Sequence, residues 1–412
     1  MHLVDVWRNI SPLSALDAAR RIYADGIDVL VDLAGHTRGT ALPVLAYRPA
    51  PVQMSGIGYF ATTGLSAVDY MIGDVWLDGA PAGMRNAPFF TEKLLALLHT
   101  HLCYTPAADA PPPGALPCLA RGFVTFGSFN AFAKASDEAL RAWAQILEAV
   151  PASRLLLKSA AFSSEEGCAA ALARLQAAGV DAARVELRPD TREYLQEYHD
   201  VDIALDSFPY PGGGTTFDAL YMGVPVVTLR GDSHGSRFGY SILANLGFQD
   251  LAARDAAEYV EKAAALAQDT ELLAALHKNL RSMMEASPLM DAASYTAALE
   301  AGYEAALAAF DAADPALSPE ACVRLSIALK RFFAAGDLRQ ALAASDALLA
   351  AGKATREVWR LAAGLYIDAE EGENAERAAQ LYLAEREDGF GLLLHARAVF
   401  LLGRWCEALD DA

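Results

Sequence analysis

Between residues 123 and 247 the sequence alternates between two kinds of segment. Short apolar runs (FVTFGSF, RLLLKS, VELRP, DIALDS, VPVVTL) alternate with longer ones (SDEALRAWAQILEAV, EEGCAAALARLQAAG, TREYLQEYHDV, TTFDALYMG, SRFGYSILANLG). The first kind reads as strand and the second as helix, most plainly where apolar residues recur every three or four. Strand and helix in strict succession leave little topological freedom: the strands lie parallel and helices cover both faces of the sheet. Ser136 is placed to cap the first of these helices, with Asp137 and Glu138 in its first turn, and Gly179 to end the second.

The residues before this region repeat the pattern less completely. SPLSALDAARRIYADG reads as a helix with Ser14 as a cap, IDVLVDLAG as a strand ending in glycine, and further strands fall around Val52–Met54 and Tyr70–Ile72. A chain that opens helix–strand, with no strand in front, implies an incomplete first half. AADAPPPGALPCLARG, with its proline triplet, reads as a linker. After the alternating region come the helical segments AAEYVEKAAALAQD and ELLAALHKNLRSMMEA, then the long alanine-rich SPLMDAASYTAALEAGYEAALAAF. From about Ser318 no strand pattern remains. Gly336-Asp337-Leu338 with Ala341, Gly372-Glu373-Asn374 with Ala378, and Leu402-Gly403-Arg404-Trp405 with Ala408 recur at spacings of 36 and 31 residues, near the ~34 of tetratricopeptide repeats. Degenerate helical hairpins and a plain helical bundle both account for that tail. The expected organisation is a partial α/β half over 1–105, a linker over 106–121, a complete α/β domain over 122–286, a closing helix over 287–312 and a helical tail over 318–412.

Composition narrows the function classes. A net charge of −19 argues against a nucleic-acid or anionic-membrane binder, though an acidic substrate at a locally basic site stays open. The five cysteines are scattered without a CxxC pair, so neither a disulfide framework nor a zinc site is expected, and a reducing cytoplasm fits. No charge-free apolar run approaches the ~18 residues of a membrane span, and the first residues lack the pattern of a signal peptide.

One stretch bears on chemistry. DIALDSFPYPGGGTTFDALYMGVPVVTL, residues 202–229, sets Gly212, Gly213, Gly214, Thr215 and Thr216 between a strand and a helix. In an open α/β sheet, ligands bind at the carboxyl ends of the strands. A glycine turn running into a helix start offers free backbone N–H groups and a positive dipole end, an anion site. Asp218, placed in the first turn of that helix, could accept from a sugar hydroxyl. A tight turn capped by threonine is the competing reading. A second motif, FGSFNAFAK (126–134), falls on the same sheet edge, with Lys134 within reach of a pyrophosphate and Asn130 able to fix the turn.

These two motifs, with RGDSHGSR, SPLMDAASY and the earlier DGIDVLVDLAGHTRGTALPVLAYRPAPVQMSGIGYFATTGLSAVDYMIGD, resemble the catalytic region of the O-GlcNAc transferase family, more closely its bacterial SPINDLY-like branch. The likeness runs from about residue 6 to 305. It implies a two-domain glycosyltransferase B fold, with two Rossmann-like domains and the nucleotide sugar in the cleft. The implied reaction is inverting, metal-independent transfer of N-acetylglucosamine from UDP-GlcNAc to serine or threonine hydroxyls of a protein, with no further cofactor. On that resemblance Lys134 neutralises the donor diphosphate. Thr215 and neighbouring amides hold the phosphates, with Gly213, Gly214 and Thr216 alongside, and Asp218 binds the ribose. Tyr194 stands where the family has a histidine near the base. His36 in AGHTRG faces acceptor or sugar as a second catalytic residue, Tyr59, Thr62 and Thr63 line the cleft, and Arg237 supports it. Ala131 replaces a frequent glutamine, and Gly213-Gly214-Thr215 a frequent His-Thr-Thr. The family's first domain normally opens with a further strand–helix segment. Fucose or another nucleotide sugar as donor, and a catalytically inactive nucleotide-sugar or protein-binding remnant, are the alternatives. Protein partners through the helical tail are also expected, with no nucleic acid and no membrane span.

Overall fold

The computed structural model describes residues 4–80, 83–312, 319–385 and 388–404. The chain opens with α1 (Ala15–Ala24), β1 (Val29–Asp32), α2 (Leu42–Leu45), β2 (Val52–Ser55), β3 (Tyr70–Asp74), α3 (Val75–Asp78) and β4 (Lys93–Leu97). The four strands form one sheet in the order β1-β2-β3-β4. Ser14 caps α1 as expected, its hydroxyl accepting from the Asp17 N–H at 3.1 Å. The strand β4 was not expected. KLLALL carries no alternation that separates strand from helix, and only its parallel pairing with β3 decides it.

A second sheet follows. Its elements are α4 (Cys118–Arg121), β5 (Thr125–Ser128), α5 (Asp137–Ala149), β6 (Arg154–Lys158), α6 (Glu165–Ala177), β7 (Val185–Arg188), β8 (Ile203–Leu205), α7 (Gly214–Tyr221), β9 (Val226–Leu229), α8 (Phe238–Asn245), β10 (Ala252–Ala253), α9 (Ala256–Gln268) and α10 (Thr270–Glu285). All its strands are parallel, in the order β10-β9-β8-β5-β6-β7. Leu155, Leu156 and Leu157 of β6 are all buried, which is the mark of a strand covered on both faces. Trp143 of α5 and Tyr259 of α9 fill the space behind, the Trp143 indole N–H donating to the Tyr259 hydroxyl at 3.3 Å.

Three sequence expectations shift. The segment TREYLQEYHDV forms no α-helix but a 3-10 stretch over Tyr194–Asp200. It is pinned across the strand ends by Lys158, which holds Glu197 at 2.7 Å, and by Arg188, which holds Asp200 at 2.7 Å. The proline-rich connection is no free tether. Asp202 accepts from the Cys118 and Thr125 N–H groups at 2.8 and 2.7 Å, and Arg281 and His199 donate to the carbonyls of Pro111 and Pro112. The closing helix α11 (Ala292–Ala312) starts five residues later than expected, because Asp291 caps it by accepting from the Ser294 N–H at 3.0 Å.

The remaining helices are α12 (Pro319–Ala334), α13 (Leu338–Ala351), α14 (Arg356–Asp368), α15 (Gly372–Glu385) and α16 (Gly389–Leu401). Successive helices pack on one another around Leu325, Leu348, Trp359, Ala362 and Tyr366, as in tetratricopeptide-like hairpins. Trp405 and Ala408 of the third repeat element lie outside the described residues. The chain divides into two compact units, one of Met1–Leu30, Arg48–Gln53 and Glu300–Ala412, the other of Val31–Tyr47 and Met54–Leu299. The candidate site lies in the second.

Candidate functional site

In chain order the strands of the second sheet run 3-2-1-4-5-6, so the order reverses between β5 and β8. Chain leaving the carboxyl end of β5 turns one way and chain leaving β8 the other, which opens a crevice between them. The lysine motif follows β5 and the glycine turn follows β8. The two motifs that the sequence singles out therefore flank the switch point.

Asp206, one residue beyond β8 and 2% exposed, organises the crevice. Its carboxylate accepts from the Gly212 N–H at 2.7 Å, the Asn130 side-chain amide at 3.0 Å and the Thr228 hydroxyl at 2.8 Å. Asn130 in turn accepts from the Thr215 hydroxyl at 2.5 Å. Burial pushes Asp206 up to about 6, while these donors and Lys134 pull it back. Sequence reasoning passed Asp206 over, because an aspartate ending a strand has no local signature.

The helix start answers the question of the threonines. Gly213 is the N-cap of α7, no side chain caps it, and Thr215 turns its hydroxyl to Asn130 instead. The N–H groups of Gly213, Gly214 and Thr215 have no partner among the described residues. Ser128, at the carboxyl end of β5, is buried with an unpartnered hydroxyl in the same small cavity as Asn130, Thr215 and Thr216. Unmet donors gathered at a helix start are what an anion satisfies.

Lys134 closes this group. Its ammonium donates to the Pro211 carbonyl at 3.4 Å and lies 4.0 Å from the centre of the Tyr210 ring. Burial lowers its pKa and the charge of Asp206 partly offsets that. Among the described residues no carboxylate pairs with it directly.

Asp218 departs from expectation. Because α7 begins at Gly214, Asp218 falls in the second turn rather than the first. Both its oxygens are occupied, one by the Tyr104 hydroxyl at 2.7 Å and the other by the Tyr194 hydroxyl at 3.0 Å. Burial raises the carboxyl despite these two donors. Desolvation and the facing carboxylate push Tyr194 up to about 12. Tyr104 was missed in the sequence, since it lies in a connection 114 residues away from its partner.

On the first-sheet side, His36 is exposed and donates through Nε2 to the Thr63 carbonyl at 2.9 Å. A row of rings leads from it to Lys134: His36 to Tyr59 at 5.2 Å, Tyr59 to Phe60 at 4.7 Å and Phe60 to Tyr210 at 4.3 Å. Phe60, Tyr210, Thr62, Asn86, His234 and Ser236 are among the residues lining a cavity of about 310 Å³. Thr63 does not line it. That residue is buried and gives its N–H (2.7 Å) and its hydroxyl to Glu92, which also takes the Thr62 hydroxyl at 2.7 Å. Arg237 is 4% exposed and donates to the carbonyls of Trp76 and Gly231.

Buried acid–imidazole pairs join the two sheets. Asp74, ending β3, accepts from His101 Nδ1 at 2.6 Å and from the Ser241 hydroxyl of α8 at 2.7 Å. Burial alone would raise Asp74, but His101 and Ser241 hold it below the usual carboxylate range. Asp78 accepts from His234 and from Asn86 in the same way. Among the described residues no three of His, Cys, Asp and Glu converge as a metal site.

Comparison with known proteins gives a consistent result. The model of glycosyl transferase family 41 matches residues 2–105 and 117–299. The probable UDP-N-acetylglucosamine–peptide N-acetylglucosaminyltransferase SPINDLY of Solanum lycopersicum is 42% identical over 301 residues, 72% of this chain and 32% of that protein. The protein of the same name from Arabidopsis thaliana is 40% identical over the same shares. This chain thus spans about a third of the length of these curated relatives. Among solved structures, a lysine-to-methionine variant of the Thermobaculum terrenum O-GlcNAc transferase superposes with a TM-score of 0.68 at 37% identity, covering 74% of this chain and 57% of that one.

Proposed function

The chain belongs to glycosyl transferase family 41, and from that premise we propose that it transfers N-acetylglucosamine from UDP-GlcNAc to serine or threonine hydroxyls of a polypeptide. The observation that carries this reading is the uncapped start of α7, with three unpartnered amides, facing a half-buried lysine across the switch point.

In this reading the diphosphate lies against the N–H groups of Gly213, Gly214 and Thr215, with Ser128 and Thr216 as further hydroxyl donors. The acceptor hydroxyl attacks the anomeric carbon as its bond to the β-phosphate oxygen breaks, so the configuration inverts. Negative charge then builds on UDP, where Lys134 and the helix dipole stand ready; such fixed charge needs no reorganisation at the moment of reaction. His36 Nε2 is tied to the Thr63 carbonyl, which leaves Nδ1 to accept or bind at the acceptor side. Each Asp218 oxygen already accepts one tyrosine hydroxyl, and we assign Asp218 to positioning Tyr194 and Tyr104 beside the base and ribose, with its remaining lone pairs open to a ribose hydroxyl. Among the described residues no helix is long and apolar enough to cross a membrane. A cytoplasmic setting fits the free thiols of Cys103, Cys118, Cys168 and Cys322. The α12–α16 region is proposed to engage polypeptide partners.

Isothermal titration of the chain with UDP, GDP and UDP-GlcNAc, beside Lys134→Ala, tests the donor half. Binding of UDP in preference to GDP, weakened at least tenfold in the variant, is expected. A folded chain that binds neither nucleotide would refute it. Transfer to a serine peptide, followed by mass, tests the rest.

A further inference from the structure

In a chain with 52 acidic and 33 basic residues, three arginines gather without an ion pair among the described residues. Arg237 is buried, and its guanidinium lies 4.7 Å from the centre of the Tyr240 ring. Arg230, immediately beyond β9, lies 5.1 Å from the same ring. Arg85 is exposed and close enough that its charge, after burial, is the next cause lowering Arg237 to about 10. The carboxylate whose charge acts on Arg237 is Asp78, already engaged by His234 and Asn86. Among the described residues none of the three makes an ion pair. Elsewhere Arg121, Arg188, Arg324 and Arg356 each hold an aspartate. The Trp76 indole, edge-on to Tyr240, adds a buried N–H without an acceptor.

Like charges brought together in partial burial repel, and the arrangement persists only where something else over-determines it or an anion completes it. The donor diphosphate is not that anion in the reading above, because its cradle lies over β8 and β5. The arginines lie beyond β9 and beside α3. Asn86 and Ser236, the chain neighbours of Arg85 and Arg237, line the cavity of about 310 Å³ together with Tyr210, whose ring lies against Lys134. The arginines themselves do not line that cavity, and an acceptor segment meets them on leaving it past Asn86 and Ser236.

We propose that Arg85, Arg230 and Arg237 form a carboxylate-binding subsite for the acceptor, so that a polypeptide carrying an aspartate or glutamate near the modified hydroxyl is preferred over its neutral counterpart. The proposal rests on the glycosyltransferase reading only for naming the ligand as an acceptor. Guanidinium groups suit the task because they bind carboxylates through paired, charge-assisted hydrogen bonds.

The test is fluorescence anisotropy of labelled serine peptides that differ only in Glu or Gln at each position within about four residues of the serine, titrated with the full chain. Binding is read without turnover, so a chain with no transferase activity still decides the question, and transfer from UDP-GlcNAc is assayed separately. The Glu peptide is expected to bind about tenfold more tightly at its best position, with the ratio shrinking as salt rises. In Arg85→Gln and in Arg230→Gln the ratio falls toward one. Arg85 is exposed, so its variant keeps the fold. Equal binding of Glu and Gln peptides at every position, or a preference untouched by both substitutions, would overturn the proposal.

Discussion

The Thr215 hydroxyl donates to the side-chain oxygen of Asn130 at 2.5 Å, across 85 residues of sequence. This contact ties the turn after β8 to the loop after β5. It also turns Asn130 so that its amide nitrogen faces Asp206 at 3.0 Å. One side chain thereby sets the width of the crevice from both sides. In Asn130→Ala, Asp206 loses a donor and Thr215 its acceptor. We expect a stability loss of about 1–3 kcal/mol in urea unfolding, with UDP affinity down about tenfold. Unchanged affinity would show that the crevice holds its shape without this link.

The three glycines of the turn are not equivalent. A Cβ on Gly212 would stand 2.5 Å from the Thr215 hydroxyl, 2.6 Å from that of Thr216 and 2.9 Å from the Asn130 oxygen, whereas Gly213 and Gly214 have nothing within 4 Å. Gly212→Ala is therefore expected to abolish measurable UDP binding, and Gly213→Ala to leave the protein folded with a far milder effect. Circular dichroism and titration of the two variants side by side check this; equal loss in both would mean the ligand, not the packing, demands glycine throughout.

Asp206 predicts a pH dependence with a definite sign. Its folded-state value of about 6 lies above the ordinary 3.8, so the folded chain retains a proton that the unfolded chain has released. The stabilisation from this group is full below about pH 4 and is lost as pH rises through about 6, on the order of 3 kcal/mol between the limits. Asp206→Asn lacks that slope. Urea unfolding of both proteins from about pH 4.5 to 7 should show the difference between wild type and variant moving against the wild type as pH rises. A difference constant with pH would contradict the assignment.

Tyr104 couples the connection between the sheets to α7 through Asp218, and its ring stacks on Phe217 at 5.2 Å. Tyr104→Phe keeps the ring and leaves Asp218 with Tyr194 alone. The expected cost is about 1–2 kcal/mol, with UDP affinity altered. Phe217→Ala, by contrast, should destabilise more, by about 3–5 kcal/mol, because it opens a cavity in the core. A Tyr104→Phe variant with the thermal stability and UDP affinity of the wild type would argue against the hydrogen bond as the coupling element.

The alternation over 123–247 was enough to establish a parallel sheet with helices on both faces, since strand and helix periods are local properties of adjacent residues. The same holds for the caps at Ser14 and Ser136, and for the glycine turn and lysine motif at one sheet edge. The long motifs were also enough to place the chain in its family. What the sequence left open is of another kind. It could not decide whether a threonine caps α7, that Thr63 turns into Glu92 instead of lining the cleft, or that Asp218 faces two tyrosines. Asp206, Ser128, Tyr104, Arg85 and Arg230 carry no local signal. Their partners lie far along the chain: 76 residues separate Asp206 from Asn130, and 156 separate Asp78 from His234. Periodicity reports which face of an element is buried. Which donors meet which acceptors depends on the strand order that brings distant loops to one edge, and that is settled only when the sheets close.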